Sequence, residues 1–184
     1  MLTYCETDRL ILQVIHAGYA QEVLDFYINN KDIFEPYEPA RPDRFYTKAY
    51  QRALLACEYT AMTKMQSVRF WAFKKEDPDK IIGTVSFSNI QPYIYSSCSI
   101  GYKFDKNNHH NGYAFEALVK IIEIIFTECK LHRINAYIMP DNISSQRLIK
   151  KVGFTFEGVA RKSIYIQDRW QDHEQYSLLN DDSL

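Results

Sequence analysis

The amino-acid sequence predicts an α/β (α+β) domain with an antiparallel front half and a βαβ unit in its back half. Ile100, Tyr102 and Phe104 alternate with Gly101 and Lys103, the pattern of a strand. After a polar run, Ala114, Ala117, Leu118, Ile121, Ile122, Ile125, Phe126 and Cys129 follow the roughly 3.6-residue period of a helix with one buried face. Ile134, Ala136 and Ile138 then share one face of another strand. The full expected order is β-α-α-β-β-β-α-β-α-β-β, without internal repeat or low-complexity segment.

Taken in order, residues 9–14 read as a first strand. A helix over 17–29 follows, with Ala20, Val23, Leu24, Tyr27 and Ile28 on its apolar face. Residues 34–46 carry Pro36, Pro39 and Pro42 among aromatics and the carboxylates Glu35 and Glu38. Proline fixes φ and stops helix propagation, so this is a stiff connection, suited to a binding wall or to a core cover. Thr47 caps a second helix over 48–64, with Tyr50, Ala53, Leu54, Cys57 and Ala61 as its stripe. Strands over 68–73 and 81–89 flank a turn at 75–80. The strand over 97–104, the long helix from Ala114 and the strand over 133–138 come next. Asn142 or Asp141 caps a short helix ending near Val152, where Gly153 stops it. Strands over 154–166 and 173–179 close the chain around Gln167-Asp168-Arg169.

The 184 residues are expected to form one domain over 1–184, large enough for a substantial core. Apolar residues make up 46% and charged residues 24%, ordinary for a globular protein. A net charge of −1 gives no general reason to bind nucleic acid or an anionic membrane. No segment reads as a signal peptide or a membrane span. Cys5, Cys57, Cys98 and Cys129 match no zinc or redox spacing, and Cys129 falls on the apolar helix stripe as a buried thiol. These features fit a reducing cytoplasm.

The chemistry concentrates where the strand at 97–104 passes through Asn107-Asn108-His109-His110-Asn111-Gly112 into the long helix. Such a junction aims free backbone N–H groups and the positive end of the helix dipole at one spot, which can hold a phosphate. Neither G-x-x-x-x-G-K-[ST] nor G-x-G-x-x-G occurs in the chain. His109 and His110 are two adjacent histidines without a ligand cluster, so no metal is expected. Glu116 lies in the first helical turn, where the dipole stabilises a carboxylate, and is read as structural.

Three stretches carry a family resemblance. They are Gly112-Tyr113-Ala114-Phe115-Glu116-Ala117, Asn142-Ile143-Ser144-Ser145-Gln146-Arg147-Leu148 and Lys151-Val152-Gly153-Phe154-Thr155-Phe156-Glu157-Gly158. In this order and at these spacings the chain resembles the GNAT N-acetyltransferases, most closely the ribosomal-protein-alanine acetyltransferases of the RimJ/RimL type. The likeness runs from Thr7-Asp8-Arg9-Leu10 to Asp172-His173-Glu174-Gln175. It implies the GNAT acyl-CoA N-acyltransferase fold, a mixed central sheet of about seven strands with helices on both faces.

The resemblance further implies acetyl-CoA as co-substrate, no metal, and an amine acceptor, first of all a protein N-terminal α-amine. Direct attack in a ternary complex is the implied mechanism. The loop His109-His110-Asn111-Gly112-Tyr113-Ala114 would cradle the pyrophosphate, with His109 standing where the family has Gln or Arg. The pantetheine arm would pair with a splayed strand edge at Ile100, Gly101 and Tyr102, and Asn142 would bind its amides. For Asn142 the plain alternative is a helix cap, and for Ser145 a first-turn helix residue. In its functional role Ser145 protonates the leaving thiolate. Glu35 and Glu38 are the candidate bases, through a relayed water. A monomer or a homodimer is expected, without nucleic acid or membrane as partner. Two other functions stay open: acetylation of a small amine such as a polyamine or an amino-sugar antibiotic, and a non-catalytic CoA-binding regulatory module.

Overall fold

The computed structural model describes residues 2–180. Its centre is an eight-stranded mixed sheet of order β1-β2-β3-β4-β5-β6-β8-β7. The strands are β1 (Tyr4–Glu6), β2 (Leu10–Gln13), β3 (Val68–Lys74), β4 (Asp77–Gln91), β5 (Ser97–Phe104), β6 (Arg133–Ile138), β7 (Thr155–Ile166) and β8 (Arg169–Leu179). The helices are α1 (Ala20–Asn29), α2 (Lys31–Phe34), α3 (Lys48–Thr63), α4 (Tyr113–Cys129) and α5 (Ile143–Val152). Neighbouring strands pair antiparallel except β5 and β6, which are parallel and joined through α4 as the expected βαβ unit.

The sheet is covered on both faces, and β3 shows why. Successive strand residues point to opposite sides. Phe70 and Ala72 join a core built with Ala117, Leu118, Ile121 and Ile125 of α4 and Ile149 of α5. Trp71 and Phe73 join a second core with Val23, Phe26 and Tyr27 of α1 and Leu55 of α3. Aromatic side chains dominate the second core: Phe26 and Tyr27 meet Trp71 edge-on.

Several expectations shift. The sheet has eight strands rather than about seven, because Tyr4–Glu6 pairs with β2. That strand is three residues long and buries only Cys5, so it leaves no alternation to read. The expected helix over 17–29 starts as a 3-10 turn at Ala17–Tyr19, where His16 Nδ1 accepts from Gly18 N–H at 3.0 Å. On α1, Phe26 is buried and Ile28 is 49% exposed. On α3 the buried residues are Gln51, Leu55 and Met62, while Ala53 and Cys57 face outward. Gln51 can be buried because its amide donates to Phe45 O at 2.6 Å. The turn before β4 shrinks to Lys75-Glu76, and a register shift at Phe73 absorbs the irregularity. Cys129 is half-buried rather than buried.

Other local signals hold. Thr47 Oγ1 accepts from Tyr50 N–H at 3.3 Å and caps α3. Asn142 caps α5, and Gly153 ends it at φ +112° in the left-handed region that glycine favours. The segment 34–46 contains two 3-10 turns, Glu35–Tyr37, which includes Pro36, and Asp43–Tyr46, with Pro39 and Pro42 between them.

Candidate active site

The site begins where β5 and β6 part. Their parallel ladder runs Ser97↔Arg133 to Ile100↔Ala136 and stops. Beyond it, Gly101 through Phe104 pair only with β4, and Tyr137 and Ile138 only with β8. Among the described residues, backbone N–H and C=O groups on the facing edges therefore lack a ladder partner, and an extended ligand can supply one. Alternation along β5 sends Tyr102 to the α4–α5 side and Gly101 and Lys103 to the other.

At the end of β5 the chain is held by a buried carboxylate. Asp105 is 3% exposed and accepts from Asn107 N–H at 3.2 Å and Asn108 Nδ2 at 2.9 Å, fixing the 3-10 turn Lys106–Asn108. His109 Nε2 bonds Phe104 O at 2.9 Å, so this side chain turns back onto the strand end. His110 takes a positive φ of 63°, and Asn111 Nδ2 donates to His109 O at 3.1 Å. Gly112 is the N-cap of α4 at φ +80°. The helix bonds begin with Glu116 N–H on Gly112 O at 3.0 Å. No side chain caps this helix, in contrast to α3 and α5, so among the described residues the N–H groups of Tyr113, Ala114 and Phe115 lack acceptors.

A clip from the N-terminal segment braces this turn. Glu116 accepts from Thr7 Oγ1 at 2.5 Å, Arg9 N–H at 3.0 Å and Arg9 Nε at 2.7 Å. Arg9 Nη1 donates to Asn111 O at 2.9 Å, and the guanidinium lies 4.5 Å over the Tyr113 ring. Burial pushes the Glu116 carboxyl up, but hydrogen bonds from Thr7 and Arg9 and the Arg9 charge outweigh it, leaving the group below its ordinary value. Glu116 is thus a structural carboxylate, as its first-turn position suggested.

The start of α5 closes the other side. Asn142 Oδ1 accepts from Ser145 N–H at 3.2 Å and from Ser144 Oγ at 3.1 Å. Ser145 Oγ lies 2.6 Å from the Tyr102 hydroxyl, which also donates to Ser145 O at 3.1 Å. Burial pushes the Tyr102 phenol up to about 12, against a smaller lowering from the Ser145 hydrogen bond.

On the opposite face of β5, Glu38 pairs with Lys103 and with Arg41. The Arg41 guanidinium lies 4.3 Å over the Phe45 ring and 4.6 Å over Tyr27. Glu35 accepts from Tyr46 OH at 2.7 Å. Gln167 Nε2, at the tip of the β7–β8 hairpin, donates to Glu35 O at 2.8 Å. The proline-rich segment is thereby fastened to the far end of the sheet, and Glu38 is brought to the splayed half of β5. A separate cleft of about 530 Å³ between α1, the start of β4 and the Lys106–Asn108 turn contains neither Ser145, Asn142 nor Glu38.

Arg9, Asp105, Gln167 and the Tyr102 hydroxyl carry parts of this arrangement that the sequence left unassigned. Arg9 had a signal, since Thr7-Asp8-Arg9-Leu10 is where the family likeness begins. The other three act through partners set only by folding.

The fold matches a known class of enzyme. Residues 9–155 match the acetyltransferase (GNAT) domain family; the chain belongs to that family and is an N-acetyltransferase. Among individual proteins, it is 37% identical to the probable N-acetyltransferase YjcK of Bacillus subtilis, over 89% of this chain and 90% of that one. It is 31% identical to the [ribosomal protein uS5]-alanine N-acetyltransferase of Escherichia coli, over 96% and 90%. The crystal structure of the ribosomal-protein-S5-alanine acetyltransferase from Vibrio fischeri superposes over 100% of both chains with a TM-score of 0.93 at 29% identity.

Proposed function

We propose that this enzyme transfers the acetyl group of acetyl-CoA to a protein N-terminal α-amine, of the ribosomal-protein-alanine type, by direct attack in a ternary complex. The observation that carries the reading is the parting of β5 and β6 after Ile100↔Ala136, with the uncapped N-terminus of α4 at one end and Ser145 alongside. Similarity to the uS5-alanine enzyme over nearly the whole chain supports the acceptor class.

Acetyl-CoA brings an activated thioester; the chain's residues bind, orient and move protons around it. In this reading the N–H groups of Tyr113 and Ala114, with the turn His109-His110-Asn111-Gly112, hold the pyrophosphate. His109 contributes through the shape of the turn, since its ring is engaged by Phe104 O. The free edge at Gly101 and Tyr102 takes the pantetheine arm; Ile100, expected in that edge, is still paired with Ala136, so the opening starts one residue later. Asn142 uses its carbonyl oxygen as the cap and keeps its amide nitrogen for pantetheine. Ser145 gives its proton to the departing sulfur.

The amine approaches from the opposite face of β5, where Glu38 stands, with Glu35, bonded to Tyr46, as the second candidate base. An α-amine has a pKa of about 7.7–8.0, so roughly a tenth is neutral at pH 7. A lysine amine, at about 10.4, would cost on the order of 4–5 kcal/mol to deprotonate there. Glu38, held by Arg41 and Lys103, is the candidate acceptor of the α-amine's proton through a relayed water. The proposed setting is the cytoplasm, in keeping with the four unpaired cysteines.

The test is release of free thiol from acetyl-CoA with a panel of amines. A peptide with a free N-terminal alanine should give the highest kcat/KM, and the same peptide with a blocked terminus should give none. Faster turnover of a polyamine or an amino sugar would replace the acceptor assignment. Binding of CoA without turnover of any amine would leave a binding module.

A further inference from the structure

The hydroxyl pair at the mouth of the splay is not explained by cofactor binding. Tyr102 OH faces two acceptors on one residue, Ser145 Oγ at 2.6 Å and Ser145 O at 3.1 Å. A phenol has one proton and can serve only one of them at a time. The choice decides what Ser145 can do. If Tyr102 donates to the carbonyl, the single proton between the two hydroxyls belongs to Ser145 and points at the ring oxygen. If Tyr102 donates to Oγ, the Ser145 proton is free to point elsewhere.

We propose that Tyr102 is the positioning residue for acid catalysis, its hydroxyl switching from Ser145 O to Ser145 Oγ as the thiolate leaves. This rests on the reading of Ser145 as the proton donor. As the C–N bond forms and the C–S bond breaks, the electron pair departs on sulfur. Ser145 Oγ passes its proton to that sulfur. Tyr102 keeps its own proton and turns it onto Ser145 Oγ as that oxygen gives its proton up. Ser145 regains a proton from solvent and the carboxylate gives the amine's proton up to solvent, so the cycle closes without net change.

Two further facts fit. Ser145 is held in place independently, by its N–H on Asn142 Oδ1 at 3.2 Å, so the hydroxyls need not also anchor the helix. The buried phenol stays protonated throughout the physiological range, which suits a donor of hydrogen bonds rather than of protons. Tyr102 shares a face with Val85 and Ile100 in the apolar core, which fixes its ring while the hydroxyl rotates.

The test is a double-mutant cycle read on kcat with saturating acetyl-CoA and peptide. Wild-type acetylation of the peptide checks the underlying functional reading by itself. Tyr102→Phe keeps the ring and should lower kcat about tenfold, the order expected for one well-placed hydrogen bond. KM for acetyl-CoA should stay within about twofold. In a Ser145→Ala background the same change should lower kcat less than about twofold, because Tyr102 then has no hydroxyl to serve. An equal loss in both backgrounds would make Tyr102 merely structural and overturn the proposal. So would an unchanged kcat in Tyr102→Phe, or wild-type turnover in Ser145→Ala.

Discussion

Gly112 is where backbone geometry and proposed cofactor binding meet. It sits at φ +80° and ψ 0°, and among the described residues a Cβ added there would meet only Arg9 Nη2, at 3.4 Å. Space is therefore available, and the penalty of Gly112→Ala is conformational. The left-handed region costs an L-residue about 1–2 kcal/mol. In a chain of this size each kcal/mol moves Tm by about 2–4 °C, so the alanine variant should stay folded and melt roughly 2–8 °C lower. Gly112→Val should melt lower still, because a β-branched residue is a true outlier there. Relaxing the strain swings φ and turns the peptide that carries Tyr113 N–H. Charge-assisted hydrogen bonds contribute about 1.5–3 kcal/mol each, so losing one should raise Kd for CoA about ten- to a hundredfold. Calorimetric titration with CoA, run beside a melt of each variant, checks both numbers. A Gly112→Ala protein that melts lower yet binds CoA as tightly as wild type would refute the phosphate cradle.

Three other perturbations test separate parts of the account. Asn142→Ala removes the cap on Ser145 N–H, costing about 0.5–2 kcal/mol, and should raise KM for acetyl-CoA severalfold; an unchanged KM in a destabilised variant would leave Asn142 as a cap only. Glu116 has a folded pKa below its ordinary 4.5, so its contribution to stability is present above that value and is lost as pH falls through the folded pKa. Melts from pH 7 down to about 3 should show a weaker acid slope for Glu116→Gln, and parallel curves would remove the Arg9 clip from the stability account. His173 is 3% exposed, and burial holds its imidazole below the ordinary 6.5 despite its bond to Gln171 O and the nearby Asp172. The unfolded chain therefore takes up a proton that the folded one refuses, and stability should fall as pH drops below 6.5. His173→Gln should flatten that slope below about pH 6.5, and an unaltered slope would assign it to other groups.

Much of this architecture is local and could be read from the chain. The strands at Ser97–Phe104 and Arg133–Ile138 match their expected bounds because their alternation is uninterrupted. The caps at Thr47 and Asn142 are single-residue signals with a fixed partner three residues on. The face of α3 was misread because a buried glutamine carries no apolar mark and its partner Phe45 O lies outside the helix. The splay is a register event between strands joined through α4, and no stretch of sequence records where a ladder stops. Contacts such as Tyr102 with Ser145, 43 residues apart, and Arg9 with Glu116, 107 apart, exist only once the sheet has brought their elements together. Family likeness placed Asn142, Ser145 and the glycine turn on the chain; folding supplied the partners that surround them.

The central claim is that the splay between β5 and β6 receives the acyl donor while the amine comes from the Glu38 side. A crystal structure of the protein soaked with CoA measures this directly. The proposed arrangement predicts pyrophosphate density within hydrogen-bond reach of the Tyr113 and Ala114 N–H groups, pantetheine along Gly101 and Tyr102, and the sulfur beside Ser145 Oγ. CoA bound instead in the cleft lined by Glu22, Asp25, Lys80 and Lys106, with the splay empty, would contradict it.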